Sequence, residues 1–295
     1  MTAPPRVDAA AVRRTLRAAG LRARSSMSQN FLVDPEVLEA ILAEAAPEPG
    51  RGVLEIGPGL GFLTRGLLEA GAHVTAVELD RGLAGFLAEE FAPSLEGGTL
   101  MLIQGDALDQ DLNRVVEPPF DVVANLPYHI TSPILHRLLG EMPRPDRLVL
   151  MVQKEVAERI AAAPGQMSYL SVFVQYHAKV RIAFTVPPAA FEPAPAVDSA
   201  VIVVEPFPAD DRLPSAEAED ELWRLVQAAF RERRKMLHNV LTRQLPLERE
   251  RVDAALAAAG IAPDRRPQTL AVGEWLALLE ALGEIGPDLR GRRPE

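Results

Sequence analysis

Short apolar segments alternate with longer helical patterns between residues 53 and 162, and this alternation constrains the fold more than any other feature of the sequence. The alternation predicts a parallel sheet covered by helices on both faces, an α/β Rossmann-like arrangement. Ligands of such sheets bind beyond the carboxyl ends of the strands. The predicted strands are Val53–Ile56, His73–Val77, Thr99–Ile103, Asp121–Ala124 and Arg147–Val152. The predicted helices are Phe62–Ala70, Leu83–Phe91, Ser132–Leu139 and Lys154–Ala162.

The pattern changes after residue 163. Two strand-like segments, Val180–Val186 and Val197–Val204, are predicted to form an antiparallel pair at the edge of the sheet. The proline-containing segment Pro206–Pro214 is typical of a linker. Helices are predicted beyond it at Glu217–Phe230, Lys235–Leu245, Leu247–Ala259 and Val272–Leu282. We therefore predict two domains, residues 1–209 with the sheet and residues 210–295 as a small helical domain.

The composition narrows the class of protein. The chain of 295 residues has no cysteine, so disulfides and thiolate ligands are excluded. Neither a signal peptide nor an apolar stretch of about 20 residues is found, and a cytoplasmic protein without a membrane segment is expected. The five histidines lack the spacing of metal ligands, and no Gly-x-Ser-x-Gly elbow is present. Neither a bound metal nor a covalent enzyme intermediate is expected.

A glycine-rich segment, Glu55–Gly61, directly follows the first predicted strand. Glycines permit a tight turn and let a ligand lie against the main chain, but a dinucleotide site begins in a similar way. The spacing Gly57-x-Gly59-x-Gly61 differs from the dinucleotide fingerprint G-x-G-x-x-G, and Glu55 precedes the glycines. An acidic loop suits a cationic sulfonium and repels a pyrophosphate. We predict that Glu55, Gly57, Gly59 and Gly61 bind S-adenosylmethionine.

Two further acids stand where the next two predicted strands end. Glu78 follows the second strand and is placed to accept hydrogen bonds from both ribose hydroxyls of an adenosine. Asp106 follows the third strand and is placed to accept from the adenine amino group of the same cofactor. Taken alone, each carboxylate could equally cap a strand end or a helix. Three acids at three successive strand ends favour S-adenosylmethionine as the cofactor.

The tetrapeptide Asn125-Leu126-Pro127-Tyr128 at the end of the fourth predicted strand is the most specific signal. An exocyclic adenine amine is a poor nucleophile because its lone pair is delocalised into the ring. The Asn125 side-chain oxygen and the Leu126 carbonyl, held by the rigid Pro127, can accept its two hydrogens. The Tyr128 ring can stack on an extruded base. An ordinary turn is the alternative, but the position at this strand end favours catalysis.

The net charge of −10 argues against a nucleic-acid partner, but the basic residues are concentrated. The first 30 residues are rich in arginine, and a second basic cluster follows residue 230. Each cluster could be a solvated helix face, and charge alone favours that interpretation. The candidate RNA-binding residues are Arg22, Arg24, Arg231, Arg233, Arg234 and Lys235.

Motifs spread over nearly the whole chain occur together in one known family. They are Ser28–Leu32, Glu55–Gly61, Glu78, Gly105–Asp106, Asn125–Tyr128, Gln153–Ala157, the Phe-x-Pro-x-Pro-x-Val-x-Ser-Ala segment from Phe191 to Ala200, and Phe-x-x-Arg-Arg-Lys-x-Leu-x-Asn from Phe230 to Asn239. The chain resembles the small-subunit (16S) rRNA adenine N6,N6-dimethyltransferase family, known as KsgA or RsmA. The resemblance implies a class I S-adenosylmethionine-dependent methyltransferase sheet with a small C-terminal helical domain.

The resemblance also implies roles for particular residues. Asn30 and Leu32 would close over the cofactor, with Gly57, Glu78, Asp106 and Asn125 below it. Phe191 would form the second wall of the base pocket, opposite Tyr128. The implied substrate is a pair of adjacent adenines near the 3′ end of small-subunit rRNA within an assembling ribosomal subunit, and a monomeric enzyme is expected. The two basic clusters would then bind RNA phosphates.

Two rival functions remain open at this stage. The related family that methylates adenine in large-subunit rRNA and confers macrolide resistance shares the cofactor loop and a similar catalytic tetrapeptide. The segment Arg233–Lys235 and the length of the helical domain favour the small-subunit enzyme. A non-catalytic assembly or transcription factor on the same fold is the second rival. The intact Glu78, Asp106, Asn125 and Tyr128 argue against lost catalysis.

Overall fold

The computed structural model describes residues 9–21, 29–208 and 215–285. The strands are β1 (Phe31–Leu32), β2 (Gly52–Ile56), β3 (His73–Glu78), β4 (Leu100–Gln104), β5 (Phe120–Asn125), β6 (Arg147–Gln153), β7 (Ala178–Val186), β8 (Phe191–Glu192) and β9 (Ser199–Pro206). The helices are α1 (Ala9–Ala18), α2 (Pro35–Ala45), α3 (Phe62–Glu69), α4 (Arg81–Glu90), α5 (Ala92–Glu96), α6 (Leu112–Val115), α7 (Thr131–Gly140), α8 (Lys154–Ile160), α9 (Tyr169–His177), α10 (Ala216–Phe230), α11 (Leu237–Gln244), α12 (Arg249–Ala258) and α13 (Val272–Leu282). None of these helices is both long and apolar enough to span a bilayer.

Seven strands form one sheet in the order β4-β3-β2-β5-β6-β9-β7. Five neighbouring strands of this sheet are parallel, namely β4, β3, β2, β5 and β6. Strand β9 runs antiparallel to both of its neighbours, β6 and β7. The predicted α/β sheet and its antiparallel edge pair are confirmed. All five parallel strands lie within two residues of their predicted bounds. The carboxyl ends of β2, β3, β4 and β5 therefore meet at one edge.

The central strands are apolar along their length because helices cover both faces of the sheet. In β6, the five side chains from Leu148 to Val152 are at most 1% exposed. Val122 and Val123 on β5 are equally buried although they point to opposite faces. Such continuous apolar strands are typical of a covered parallel sheet. This rigid core holds the strand ends that carry the candidate site residues.

Helix α2 was not predicted from the sequence, although its start carries a readable signal. The Asp34 carboxylate accepts hydrogen bonds from the Glu36 and Val37 backbone N–H groups at 2.9 and 3.4 Å. Pro35 occupies the first turn, where its fixed φ suits a helix and its missing N–H costs nothing. Helix α2 places Ile41 in the core. It follows β1, which pairs antiparallel with β8.

Contacts group the chain into two compact units, Met1–Glu158 with Ala178–Pro206 and Arg159–His177 with Phe207–Glu295. The predicted boundary after residue 209 differs from this grouping because it assigns helix α9 to the sheet domain. In the structure, Val172 and Tyr176 of α9 belong to the same apolar core as the four C-terminal helices. The helix was missed because its run Tyr169–His177 is apolar on nearly every side and shows no helical period. That the two parts fold as separate domains stays a prediction.

The second unit is built around one buried tryptophan. The Trp275 side chain is fully buried and shares a core with Leu222, Leu241 and Leu278. The four main helices of the second unit, α10 to α13, begin and end within two residues of their predicted bounds. Ser215 begins α10, because its hydroxyl accepts a hydrogen bond from the Ala218 backbone N–H at 3.2 Å.

Candidate active site

A cavity lies at the carboxyl ends of β2, β3, β4 and β5 and brings most of the predicted site residues together. Those that line it are Asn30, Leu32, Glu55, Gly57, Gly59, Glu78, Asp106, Asn125, Leu126, Pro127 and Tyr128. They come from five separate segments of the chain, which the parallel strand order places side by side. Two predicted residues, Gly61 and Phe191, do not line this cavity.

The glycine loop is shaped by close contacts at its end. Gly61 has a φ of +79° and precedes α3, and a Cβ atom there would lie 2.4 Å from the Phe91 ring. Gly61 therefore forms the loop without lining the cavity. Gly59 also has a positive φ of 60°, and its backbone N–H donates to the Glu78 carboxylate at 3.1 Å. The loop and the second acid are thus tied together directly.

Glu55 is a buried acid at the base of the loop, with 1% of its surface exposed. One carboxyl oxygen accepts a hydrogen bond from the Thr64 hydroxyl at 2.7 Å. The other oxygen, Oε1, is buried without a hydrogen-bond partner among the described residues. Burial raises the pKa of Glu55 from its ordinary value of 4.5 to about 8, and the neighbouring Glu78 adds to the rise. The carboxyl is therefore neutral over much of the range below pH 8.

Glu78 ends β3 and is 5% exposed. Its two oxygens accept backbone hydrogen bonds from Asp80 at 2.8 Å and from Gly59 at 3.1 Å. Burial raises the pKa of Glu78, and these two N–H groups oppose the rise. The two bonds fix the carboxylate in the cavity wall, where each oxygen keeps a further lone pair for a ligand.

Asp106 follows β4 and is the first residue of a turn that Arg137 stabilises. Its Oδ1 accepts from the Leu108 backbone N–H at 2.9 Å. Arg137 of α7 donates to the carbonyls of Ala107, Leu108 and Gln110, and so holds the turn from behind. No local signal indicates this role, because Arg137 lies 31 positions beyond Asp106 and belongs to no motif. The guanidinium links the Asp106 turn to α7, the helix that follows Asn125–Tyr128.

Three acids lie around the cavity, and its other ionisable side chains are Tyr128 and His129. Glu55, Glu78 and Asp106 line it, whereas no lysine or arginine of the described segments does. A dinucleotide needs donors for its pyrophosphate, so this set of side chains suits a cationic ligand with an adenosine group instead. Within the same segments, no group of three His, Asp or Glu side chains is arranged to hold a metal ion.

The Asn125 amide is oriented by the N-terminal segment. Its Nδ2 donates to the Asn30 backbone carbonyl at 3.2 Å. Because a carbonyl only accepts, this contact assigns the amide nitrogen to Asn30 and leaves Oδ1 as the acceptor for a ligand. Asn30 therefore acts through its main chain, directly before β1. Leu32, in β1, lines the cavity and is 8% exposed.

The rest of the tetrapeptide forms a rigid turn. Leu126 is 1% exposed, and its N–H donates to the Met151 carbonyl of β6 at 3.1 Å. The Pro127 carbonyl accepts from the Ile130 N–H at 3.1 Å and closes a short 3₁₀ turn over Tyr128–Ile130. This turn fixes the backbone from which the Leu126 carbonyl and the Tyr128 ring project.

Tyr128 is half-buried and has a partner that the sequence did not reveal. Its hydroxyl lies 2.9 Å from the hydroxyl of Ser199, the first residue of β9. Burial raises the pKa of Tyr128, so the phenol stays protonated and can donate or accept. Ser199 lies 71 positions away and was noted in the sequence only as the end of a motif.

Phe191 is placed in the core of the first unit. It is 3% exposed, pairs with Leu32 across β1 and β8, and packs in a cluster with Val186 and Ile41. In this arrangement it supports the strand that carries Leu32. Its role as the second wall of a base pocket stays a prediction.

The second basic cluster lies on an exposed turn between α10 and α11. Arg231, Arg233, Arg234 and Lys235 are all exposed. Arg231 donates to the Gln244 side chain at 3.2 Å, and the turn is closed by the Lys235 N–H donating to the Glu232 carbonyl. Arg22 and Arg24, the predicted residues of the first cluster, lie outside the described residues.

The chain is similar to known proteins over most of its length. A family model described as "Ribosomal RNA adenine dimethylase" matches residues 20–284. A protein named "Ribosomal RNA small subunit methyltransferase A" from Synechococcus sp. (strain RCC307) is 44% identical over 272 residues, 89% of this chain and 97% of that protein. A protein of the same name from Desulfitobacterium hafniense (strain Y51) is 42% identical over 280 residues, 93% of this chain and 98% of that one.

Two solved structures are similar over most of the chain. A dimethyladenosine transferase from Plasmodium falciparum has a TM-score of 0.72 and 28% identity, covering 85% of this chain and 96% of its own. The 23S rRNA methyltransferase ErmE has a TM-score of 0.68 and 30% identity, covering 86% of this chain and 99% of its own. The predicted methyltransferase sheet with a helical C-terminal region is confirmed.

Proposed function

The chain belongs to the ribosomal RNA adenine dimethylase family, and from this premise we propose that it dimethylates N6 of two adjacent adenosines near the 3′ end of small-subunit rRNA. The methyl donor is S-adenosylmethionine, and the substrate is the RNA within an assembling small ribosomal subunit. One observation carries the proposal: Asn125–Tyr128 line the same cavity as three acids at successive strand ends. A ribosomal substrate of this kind implies a cytoplasmic enzyme, and the reaction requires only one copy of the chain.

The acidic wall of the cavity accounts for cofactor binding. Glu78, fixed by two backbone N–H groups, accepts hydrogen bonds from the ribose hydroxyls. Asp106 accepts from the adenine amino group, and the loop from Gly57 to Gly59 gives the ligand access to the main chain. S-adenosylmethionine supplies an electrophilic methyl group on a positively charged sulfur. The cavity suits this charge because Glu55, Glu78 and Asp106 line it and no lysine or arginine of the described segments does. Leu32 contributes an apolar surface that excludes water.

The tetrapeptide accounts for activation of the target base. Asn125 Oδ1 and the Leu126 carbonyl accept the two N6 hydrogens, which favours a pyramidal nitrogen whose lone pair lies along one direction. Because both acceptors are fixed by contacts to Asn30 and Met151, they need no rearrangement as charge develops on nitrogen. The Tyr128 ring holds the extruded base by stacking, which is worth about 1–3 kcal/mol for each base. This chain's contribution is therefore orientation and charge placement.

The test is methyl transfer from labelled S-adenosylmethionine to small subunits isolated from cells that lack this activity. Wild type and Asn125→Ala are compared, with modified nucleosides identified by mass and cofactor affinity measured by calorimetry. We expect N6,N6-dimethyladenosine in small-subunit RNA with wild type, and a rate lower by on the order of 10²-fold with Asn125→Ala. A melting temperature of Asn125→Ala close to that of wild type would show that the variant retains its fold, and the cofactor affinity then reports the share of Asn125 in cofactor binding.

Two other results would contradict the proposal. Label in large-subunit RNA alone would assign the enzyme to the rival large-subunit specificity. Cofactor binding without label in either RNA, together with normal subunit assembly supported by Asn125→Ala, would indicate a non-catalytic assembly factor.

A further inference from the structure

The Tyr128 hydroxyl is tied to the sheet by one hydrogen bond. Its oxygen lies 2.9 Å from Ser199 Oγ. Ser199 is fully buried, and Tyr128 is the hydrogen-bond partner of its side chain among the described residues. A buried hydroxyl that lost its partner would cost free energy, so each group holds the other in place. The bond joins a residue of the cavity wall to a residue that does not line the cavity.

The topology of the sheet explains how Ser199 reaches this position. Strand β9 lies beside β6 and runs antiparallel to it, whereas β5 and β6 are parallel. The chain therefore enters β9 at the edge of the sheet where β5 and β6 end. Ser199, as the first residue of β9, lies at this edge opposite Gln153, the last residue of β6. The side chain of Tyr128 reaches it across the end of β6.

Residues of two sequence motifs hold Ser199 in place. In the sheet, Ser199 pairs with Gln153 on one side and with Val186 of β7 on the other. The Lys154 backbone N–H donates to the Asp198 carbonyl at 3.0 Å, directly before Ser199. The Lys154 ammonium also lies 3.8 Å from the Asp198 carboxylate. The motif Gln153–Ala157 and the end of the motif Phe191–Ala200 therefore converge on one hydroxyl.

The opposite end of Tyr128 is fixed as well. Its backbone lies in the 3₁₀ turn that Pro127 begins and that the Ile130 N–H closes. A turn fixes Cα and Cβ but leaves the ring free to swing about χ1. The hydroxyl is the atom farthest from Cα, so a hydrogen bond there opposes this swing most effectively. The ring is thus held at both ends.

We propose that Ser199 is a positioning residue of this methyltransferase, whose hydroxyl holds the Tyr128 ring at the angle required to stack on the target adenine. Ser199 touches neither cofactor nor base and acts through Tyr128. The inference rests on the proposed function, because it concerns the base that the cavity receives. It predicts that loss of the hydroxyl slows methyl transfer without weakening cofactor binding, since the acids that hold the cofactor are unchanged.

A double-mutant cycle tests the proposal. Ser199→Ala, Tyr128→Phe and the double variant are assayed for kcat, for KM of small subunits and for cofactor affinity. We expect kcat to fall about 5- to 10-fold in each single variant, the factor that removal of one hydrogen bond produces. The double variant should resemble either single variant, because both substitutions remove the same bond. Cofactor affinity should stay within about twofold of wild type in all of them.

Ser171→Ala is the matched control, since it removes another fully buried serine hydroxyl, one that donates to the Arg159 carbonyl in the second unit. It should leave kcat unchanged at a temperature where the protein is folded. An unchanged kcat in Ser199→Ala, or a double variant whose loss is the product of the single losses, would overturn this inference while wild type remains active. A wild type that transfers no methyl group would overturn the proposed function itself.

Discussion

At the scale of single residues, the site depends on buried acids whose protonation is coupled to folding. Glu55 has one partnered oxygen and one without a partner among the described residues, and burial raises its pKa to about 8 from an ordinary 4.5. Between these two pH values the unfolded chain releases the proton and the folded chain keeps it. The stabilisation by the neutral carboxyl is therefore complete below pH 4.5 and decreases as pH rises towards 8.

Replacing Glu55 by glutamine should remove this pH dependence, because glutamine stays neutral. We expect the melting temperature of Glu55→Gln to rise relative to wild type between about pH 5 and pH 8, by on the order of 5 °C. The raised pKa of Glu78 has the same sign but is present in both proteins, so the difference isolates Glu55. The measurement is thermal unfolding by circular dichroism at several pH values.

Glu89→Gln is the control, since Glu89 is exposed on α4. The melting temperature of Glu89→Gln, plotted against pH, should run parallel to that of wild type. Parallel curves for Glu55→Gln and wild type would show that Glu55 titrates normally in the folded protein.

At the scale of secondary structure elements, the glycine loop joins β2 to α3 in a space without room for a side chain. A Cβ atom on Gly61 would lie 2.4 Å from the buried Phe91 ring and 2.9 Å from Leu87. Gly98 also has a positive φ, of 73°, but a Cβ atom there meets nothing within 4 Å. Replacing either glycine by alanine costs free energy because the backbone φ is positive. Only the replacement of Gly61 also brings the new Cβ atom into a steric clash.

We therefore expect Gly61→Ala to lower the free energy of unfolding by about 3 kcal/mol or more, and Gly98→Ala by about 1–2 kcal/mol. The loop of Gly61→Ala should also bind S-adenosylmethionine more weakly. Urea unfolding and calorimetric titration would measure the two effects. Equal losses in the two variants would mean that the backbone conformation alone, and not the contact with Phe91, restricts position 61.

Helix α1 supports the cavity from outside. Its Val12 and Leu16 side chains pack in a cluster with Phe31, Leu60 and Leu83, and these last three residues line the cavity. A cavity wall that is itself packed on a helix depends on that helix for its position.

Leu16→Ala should therefore raise the cofactor Kd by about 3- to 10-fold, since the wall residues lose their support. The melting temperature should change little, because α1 can separate locally without unfolding the sheet. Leu256→Ala in the core of the second unit is the control, and it should lower the melting temperature while leaving the Kd unchanged. A wild-type Kd for Leu16→Ala would show that α1 does not shape the cavity.

Elements with a strong local pattern were predicted from the sequence, and elements defined by distant partners were not. Strand β6 was predicted because Leu148–Val152 is apolar without interruption. Strand β8 has only two residues, and its pairing with β1 depends on a partner about 160 positions earlier. Helix α9 was missed because it is buried on most sides and therefore lacks an amphipathic period.

The candidate site shows the same division. Glu78 and Asn125 were predicted from the strand ends that carry them, since a parallel sheet gathers such ends at one edge. The partners of Asn125 and Tyr128 were not predicted, because the Asn30 carbonyl and the Ser199 hydroxyl carry no local signal for a contact 95 or 71 positions away. The resemblance implied Phe191 as the second wall of the base pocket; its side chain is 3% exposed and does not line the cavity, and that role stays a prediction.

At the scale of the whole molecule, an acidic protein must bind an acidic partner. The chain has 41 acidic and 31 basic side chains, so its net field opposes approach to RNA. Attraction must then come from local concentrations of positive charge. The exposed turn between α10 and α11 is one such place, because Arg233, Arg234 and Lys235 lie there in succession. Contacts with phosphates release counterions, which makes the affinity depend on salt.

Removing these three charges should weaken binding to small subunits and flatten its salt dependence. For the triple variant Arg233→Ala, Arg234→Ala, Lys235→Ala, we expect the slope of log K against log salt to become smaller by about 2–3, roughly one for each phosphate that is no longer neutralised. The KM for small subunits should rise, whereas kcat at saturation should stay near wild type, because the turn lies outside the cavity. Binding is measured by sedimentation over a series of salt concentrations.

The control must separate local contacts from the change in net charge. Arg81, Arg114 and Lys179 are exposed cations elsewhere on the chain, and replacing all three by alanine removes the same charge. If the turn binds RNA directly, only the first triple variant flattens the salt slope, while both variants share any loss that arises from the field of the whole molecule. If the two triple variants behave alike, the basic turn makes no phosphate contacts, and the RNA is bound by another surface of the protein.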